Sequence, residues 1–69
     1  MKLYYEIHVY VSRKNGYSVV IKIDNAIEHL DDDAVILEAV NQGVLDSEDS
    51  GEGVVTEITE EQYNLMILI

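Results

Sequence analysis

Carboxylates are the side chains of this chain best suited to chemistry, and they are densest in the stretch DSEDSGEGVVTE, residues 46–57. With Asp46 as position one, Glu48 is third, Ser50 fifth, Gly51 sixth and Glu57 twelfth, the ligand spacing of a calcium loop. Oxygen ligands so placed wrap a hard cation, and glycine at the sixth position permits the sharp turn. Two features depart from that pattern. Gly53 stands where an apolar residue normally joins paired loops, and β-branched residues follow in place of an exiting helix. The motif also works in pairs, and the chain has one copy. Asp46, Glu48, Ser50 and Glu57 are thus a weak metal-ligating set, and a solvated acidic loop is the simpler expectation.

Other chemistries find less support. His8 and His29 are the only imidazoles. His29 lies near Asp31 and Asp33, but acids are so abundant that this proximity carries little weight; an ordinary surface histidine is the default. Acid–base catalysis needs carboxylates whose environments drive their pKa values apart, and hence a desolvated pocket. Sixty-nine residues leave little room for one. Ser12, Ser18, Ser47 and Ser50 lie in no Ser-His-acid pattern, and there is no glycine-rich phosphate loop. The absence of cysteine excludes a disulfide framework, a Cys-ligated zinc site, an iron–sulfur cluster and a thiol nucleophile. A non-enzymatic protein without a cofactor is expected.

The charge balance is the strongest signal. Fourteen Asp and Glu face four Lys and Arg, for a formal net charge of −10, while 48% of the residues are hydrophobic, too many for a disordered acidic tail. All four basic residues (Lys2, Arg13, Lys14, Lys22) and one acid (Glu6) fall within residues 1–23, a segment of charge +3. Residues 24–69 hold the other thirteen acids and no Lys or Arg. Direct contact with nucleic acid is disfavoured, because that affinity comes largely from cations set against phosphates. No secretory signal opens the chain, and its longest apolar run, Leu65–Ile69, is far short of the roughly 20 residues of a membrane helix. A cytoplasmic protein without membrane contact is expected, folded as one small acidic domain over residues 1–69.

The elements that must position these groups follow from periodicity. Leu3, Tyr5, Ile7, Val9 and Val11 alternate with Tyr4, Glu6, His8, Tyr10 and Ser12, and Tyr17, Val19, Ile21 and Ile23 resume the pattern on odd positions. A three-residue loop, Lys14-Asn15-Gly16, keeps the odd residues of both strands on one face. It pairs Val11 with Val19, Val9 with Ile21 and Ile7 with Ile23, with Gly16 left-handed as a bulge. Asp31-Asp32-Asp33 caps a helix from Ala34 to Gln42 that ends at Gly43, with Val35, Ile36, Ala39, Val40 and Val44 on its apolar face. Val54–Ile58 reads as a third strand. Thr59-Glu60-Glu61-Gln62 has the form of a capping box, so a second helix should follow, the alternative being an edge strand from Asn64 to Ile69. The fold class expected is α+β, in the order ββαβα. The antiparallel sheet has strand order 2-1-3, with both helices on one face.

On that fold Tyr4 and Tyr10, with His8 between them and Lys22 opposite, stand on the sheet face away from the helices, where tyrosines suit an interface. The acids fall at helix starts and loops. Capping and solubility explain part of that pattern. They do not explain the absence of any Lys or Arg after Lys22, since mixed-sign surfaces are the ordinary solution and like charges repel. A one-sign surface suits a partner with a positive groove, where carboxylates can occupy the places of phosphates. The expected function is a small acidic inhibitor that binds a protein with a basic nucleic-acid-binding groove through Asp31, Asp32, Asp33, Asp46, Glu48, Asp49 and Glu52, with Tyr4 and Tyr10 as anchors. In size, compactness and charge the chain resembles phage-encoded counter-defence proteins of the anti-CRISPR, anti-restriction and glycosylase-inhibitor types. That resemblance implies action in a host cytoplasm by DNA mimicry. The alternative is an accessory module of a homo- or hetero-oligomer, such as a homodimer through the apolar end Leu65–Ile69. A single-loop calcium-binding protein is the weaker one.

Overall fold

The computed structural model describes residues 1–10, 16–49, 51 and 53–68. Its elements are β1 (Leu3–Val9), β2 (Tyr17–Ile23), α1 (Asp32–Asn41), a single 3-10 turn (Ser47–Asp49), β3 (Gly53–Ile58) and α2 (Glu60–Ile67). The three strands form one antiparallel sheet in the order β2-β1-β3, the α+β architecture and strand order expected from the sequence. β1 takes the centre because it is apolar enough to be covered everywhere: Leu3, Tyr4, Tyr5, Ile7 and Val9 are all buried. Ile7, Val9, Ile21 and Val35 are almost wholly removed from solvent, each such burial contributing about 1.5–3 kcal/mol.

The hairpin register differs from the expected one. Leu3 faces Ile23, Tyr5 faces Ile21, Ile7 faces Val19 and Val9 faces Tyr17. Both registers keep odd residues on the core face, because a slip by an even number of residues, here four, preserves the face of a pleated strand. The expected pairing would have left Leu3 and Tyr5 beyond the end of β2, whereas the observed one gives every residue of β1 a partner. Val11, Lys14 and Asn15 of the expected turn lie outside the described residues, and Gly16 does not adopt left-handed backbone. His8 therefore faces Ser18, and Lys22 faces Tyr4.

Helix α1 begins and ends where its sequence says it should. The Asp31 carboxylate accepts the Ala34 N–H at 2.8 Å, and Asp32 and Asp33 occupy the positive end of the helix dipole. At the other end Gly43 has φ +78°, with Gly43 N–H donating to Val40 O (3.0 Å) and Val44 N–H to Ala39 O (3.1 Å), a Schellman closure. Leu45 N–H also donates to Ala39 O (3.3 Å). The turn brings Leu45 into the core and leaves Val44 exposed, reversing the role expected of Val44. Helix α2 carries the expected capping box: Gln62 N–H donates to Thr59 Oγ1 and Thr59 N–H to Gln62 Oε1. Residues 64–67, offered alternatively as strand, are thus helical.

The helices do not share a face of the sheet. Val35 and Ala39 of α1 pack with Leu3, Tyr5, Ile7 and Val9 on the odd side. Tyr63 of α2 lies against Tyr4, its ring centroid 5.2 Å away, and Tyr4 leaves β1 on the even side. The expectation of helices on one face gives way because β1 is apolar at Tyr4 as well as at its odd positions. α2 emerges directly from Ile58, which pairs with Tyr4, and covers that residue.

Two glycines are required for different reasons. A Cβ at Gly43 would meet nothing within 4 Å, so only its left-handed backbone demands glycine. A Cβ at Gly53 would stand 2.8 Å from Cγ2 of the buried Ile7. Gly43→Ala is expected to lower stability by about 1 kcal/mol, and Gly43→Asn by less, since asparagine tolerates that backbone. Gly53→Ala should cost about 1–3 kcal/mol through overpacking. Urea unfolding midpoints of the three variants check both explanations.

Candidate functional site

The acids singled out from the sequence occupy two segments that bracket α1. Asp31, Asp32 and Asp33 form its cap and first turn, all exposed, and Asp46, Glu48 and Asp49 follow its C-terminal turn. The ten residues of α1 rise about 15 Å between them. A groove along the helix joins the two segments: Asp33 lines one end, Ser47 the other, and Ile36, Leu37 and Val40 make its floor. Val40 and Ser47 also line a neighbouring hollow with Tyr17, Gly43, Val44, Leu45, Asp46 and Asp49. The surface is therefore continuous, apolar along the helix and acidic at both ends. Glu52 lies outside the described residues.

Electrostatics on this surface is one-sided. Among the described residues, only two carboxylates meet a side chain that can carry positive charge: Asp24, 3.9 Å from Lys22, and Glu57, 3.3 Å from His29. Both pairs are exposed and contribute little to stability. The last turn of α1 holds no basic residue, so the negative end of its dipole adds to the field of Asp46, Glu48 and Asp49.

Asp49 is the one described acid of the set that is half-buried, and it accepts a hydrogen bond from the Tyr17 hydroxyl. That carboxylate, together with partial burial, pushes the Tyr17 hydroxyl up to about 12. The contact ties the acidic segment after α1 to the first residue of β2.

The two tyrosine anchors have different fates. Tyr10 is 62% exposed, and the His8 ring packs edge-on against it with centroids 4.3 Å apart; His8 Nδ1 and Ser18 Oγ are 2.8 Å apart. Tyr4 is only 8% exposed, covered by Tyr63, and its hydroxyl donates to Glu60 Oε2 at 2.9 Å. Burial and the Glu60 carboxylate push that hydroxyl above the usual phenol range. Tyr4 holds α2 to the sheet instead of standing free on an open face.

The calcium spacing does not become a site in the fold. Glu57 lies within β3 beside His29, while Asp46 and Glu48 sit at the 3-10 turn and Ser50 lies outside the described residues. Among the described residues no three His, Asp or Glu side chains come together to hold a metal, and no helix is long and apolar enough to cross a membrane.

Leu37 was missed in the sequence reading, although it is 61% exposed on the groove floor. Its position off the Val35–Ile36–Ala39–Val40 stripe is the signal that could have found it.

No family model, curated protein or solved structure matches the chain.

The Tyr17–Asp49 contact has a defined pH window. The folded-state value, about 12, is above the ordinary phenol value of about 10. The contact therefore contributes fully below about pH 10 and is lost as pH rises through 12. Tyr17→Phe should lower the unfolding midpoint at neutral pH and flatten the loss of stability between pH 10 and 12. Asp49→Asn should return the Tyr17 titration, read by tyrosinate absorbance, toward about 10.

Proposed function

We propose that this chain is a small non-enzymatic protein that binds the basic, nucleic-acid-binding groove of another protein, its carboxylates standing where phosphates would. One observation carries the reading. Acidic segments at both ends of α1 share a continuous surface that is almost free of neutralising cations among the described residues. The roughly 15 Å rise of the helix matches the axial span of about five successive phosphates of one DNA strand. Asp31, Asp32, Asp33, Asp46, Glu48, Asp49 and Glu52 are the proposed contact set, and Leu37 adds an apolar contact between the two ends. Tyr10 remains the exposed aromatic anchor. Blocking would be steric and electrostatic, with association accelerated by complementary charge. The profile fits a phage counter-defence inhibitor acting in a host cytoplasm.

A second reading has its own observation. Leu65, Ile67 and Leu68 are 59%, 55% and 81% exposed, an apolar helix end that suits an accessory module in a homo- or hetero-oligomer. Light scattering at high protein concentration separates the two: a strict monomer removes the homo-oligomer.

Charge-neutralised variants test the leading reading. Asp32→Asn, Asp33→Asn, Asp46→Asn and Glu48→Gln combined keep the side-chain shapes. They should slow association with the captured partner by about tenfold or more at low salt. Nucleic acid should compete with the wild-type protein for that partner. A partner that is acidic, or whose binding is indifferent to salt, would sink the proposal.

A further inference from the structure

Sheet order leaves β2 and β3 with one unpaired edge each, and the two edges are not equivalent. On β2 the Lys22 carbonyl accepts the Gln42 side-chain amide at 3.1 Å, so that carbonyl faces away from β1 and is occupied. Alternation along an antiparallel ladder then fixes the rest. Even residues of β1 bond to β3, through the pairs Tyr4–Ile58, Glu6–Thr56 and His8–Val54. The backbone groups of Gly53, Val55 and Glu57 therefore point outward from β3. None of them bonds to any described residue.

Proteins usually blunt such an edge with lysine, proline, a bulge, a covering loop or an inward-pointing charge, and of these β3 has Glu57, on the side of α1 and 3.3 Å from His29. The sequence of β3, GVVTEI, contains neither lysine nor proline, and it pairs with β1 without a bulge. Val54 is 52% exposed and Thr56 is also open on the even side, while Glu57 is half-exposed on the side of α1. Glu60 and Glu61 follow immediately.

We infer that the outer edge of β3 is a strand-addition site for an extended segment of a partner protein, with lysine or arginine at alternate positions. Backbone bonds to Gly53, Val55 and Glu57 supply the affinity, and side chains beside Glu57 and Val54 supply the selection. The occupant's positive residues lie on the Glu57 side, where one meets Glu57, itself 3.3 Å from His29, and its β-branched residues lie on the Val54–Thr56 side. A second copy is the poorer occupant, because each chain carries −10 and the edge itself is acidic. The inference rests on the reading above in one respect, that the partner is cationic, and it adds the mode of attachment.

Amide hydrogen exchange on the full chain tests it, with an alternating lysine–valine peptide of the length of β3 as probe. Peptide binding should slow exchange at Gly53, Val55 and Glu57 by about tenfold or more. Val54, Thr56 and Ile58, whose amides already bond to β1, should not change. Val55→Pro removes one outward N–H and should weaken the peptide by about tenfold, and the wild-type exchange pattern stands as a test even if that variant misfolds. A lysine peptide of equal charge but alternating chirality cannot extend as a strand and should bind more weakly. Equal binding of the two peptides, or protection without the alternating pattern, overturns strand addition while leaving the acidic-surface reading intact. Protection of the same amides that grows with protein concentration in the absence of peptide assigns the edge to a second copy and overturns it as well. Failure of both peptides to bind at low salt overturns both readings.

Discussion

Burial of β1 between two strands and two helices is the constraint on which the rest of the molecule depends. Among the described residues it is the only strand paired on both edges, and five of its seven residues are buried. A domain of this size cannot spread its apolar surface over several layers, since it buries only about 60% of what its unfolded chain exposes. Concentrating burial on one strand leaves β2, β3 and both helices with large open faces. Most of the acids lie at caps, turns and loops on those open faces, with Glu6, Glu38 and Glu57 inside β1, α1 and β3. The structure can carry −10 because no buried side chain among the described residues is charged.

That division between an apolar strand and an acidic periphery also shapes the candidate surface. α1 is held by Val35 and Ala39 on one side, which leaves Leu37 and the acidic ends on the other. Its first turn is stabilised by Asp32 and Asp33 at the positive end of the dipole, whereas the acids beyond its last turn gain nothing from the dipole and reinforce its negative end. Capping chemistry accounts for the first group and not for the second. Asp49 is restrained by Tyr17, so part of the second group is presented from an ordered position.

Local rules with short range were readable in the chain before any coordinates. Asp31 and Gly43 delimit α1, Thr59 and Gln62 start α2, and the alternation of odd apolar residues defines the core face of β1 and β2. Each depends on residues within about four positions, so each is a property of sequence alone. What escaped was of longer range. The hairpin register escaped because pairings that differ by an even number of residues, here four, have the same inside–outside pattern. Tyr4 was read as an exposed anchor because alternation puts it on the outer face; only the return of α2 over that face buries it. Val44 is exposed and Leu45 buried because the Schellman turn, with Leu45 N–H donating to Ala39 O, brings Leu45 into the core cluster with Ala39.

By itself, then, the sequence determined the three strands and α1, their order, the face of β1 and β2 that carries the main core, and the uneven distribution of charge, and it favoured a helix for α2. These are set by side-chain periodicity, backbone preferences and ionisation, none of which needs a distant partner. Tertiary structure alone decided the register of β1 on β2, the placement of the two helices on opposite faces, the burial of Tyr4, and the groove that joins the acidic ends of α1. It also decided that Glu57 belongs to a strand edge beside His29 and not to a loop around a cation. All of these depend on which surfaces compete to cover one central strand, a competition resolved only when the whole chain is packed.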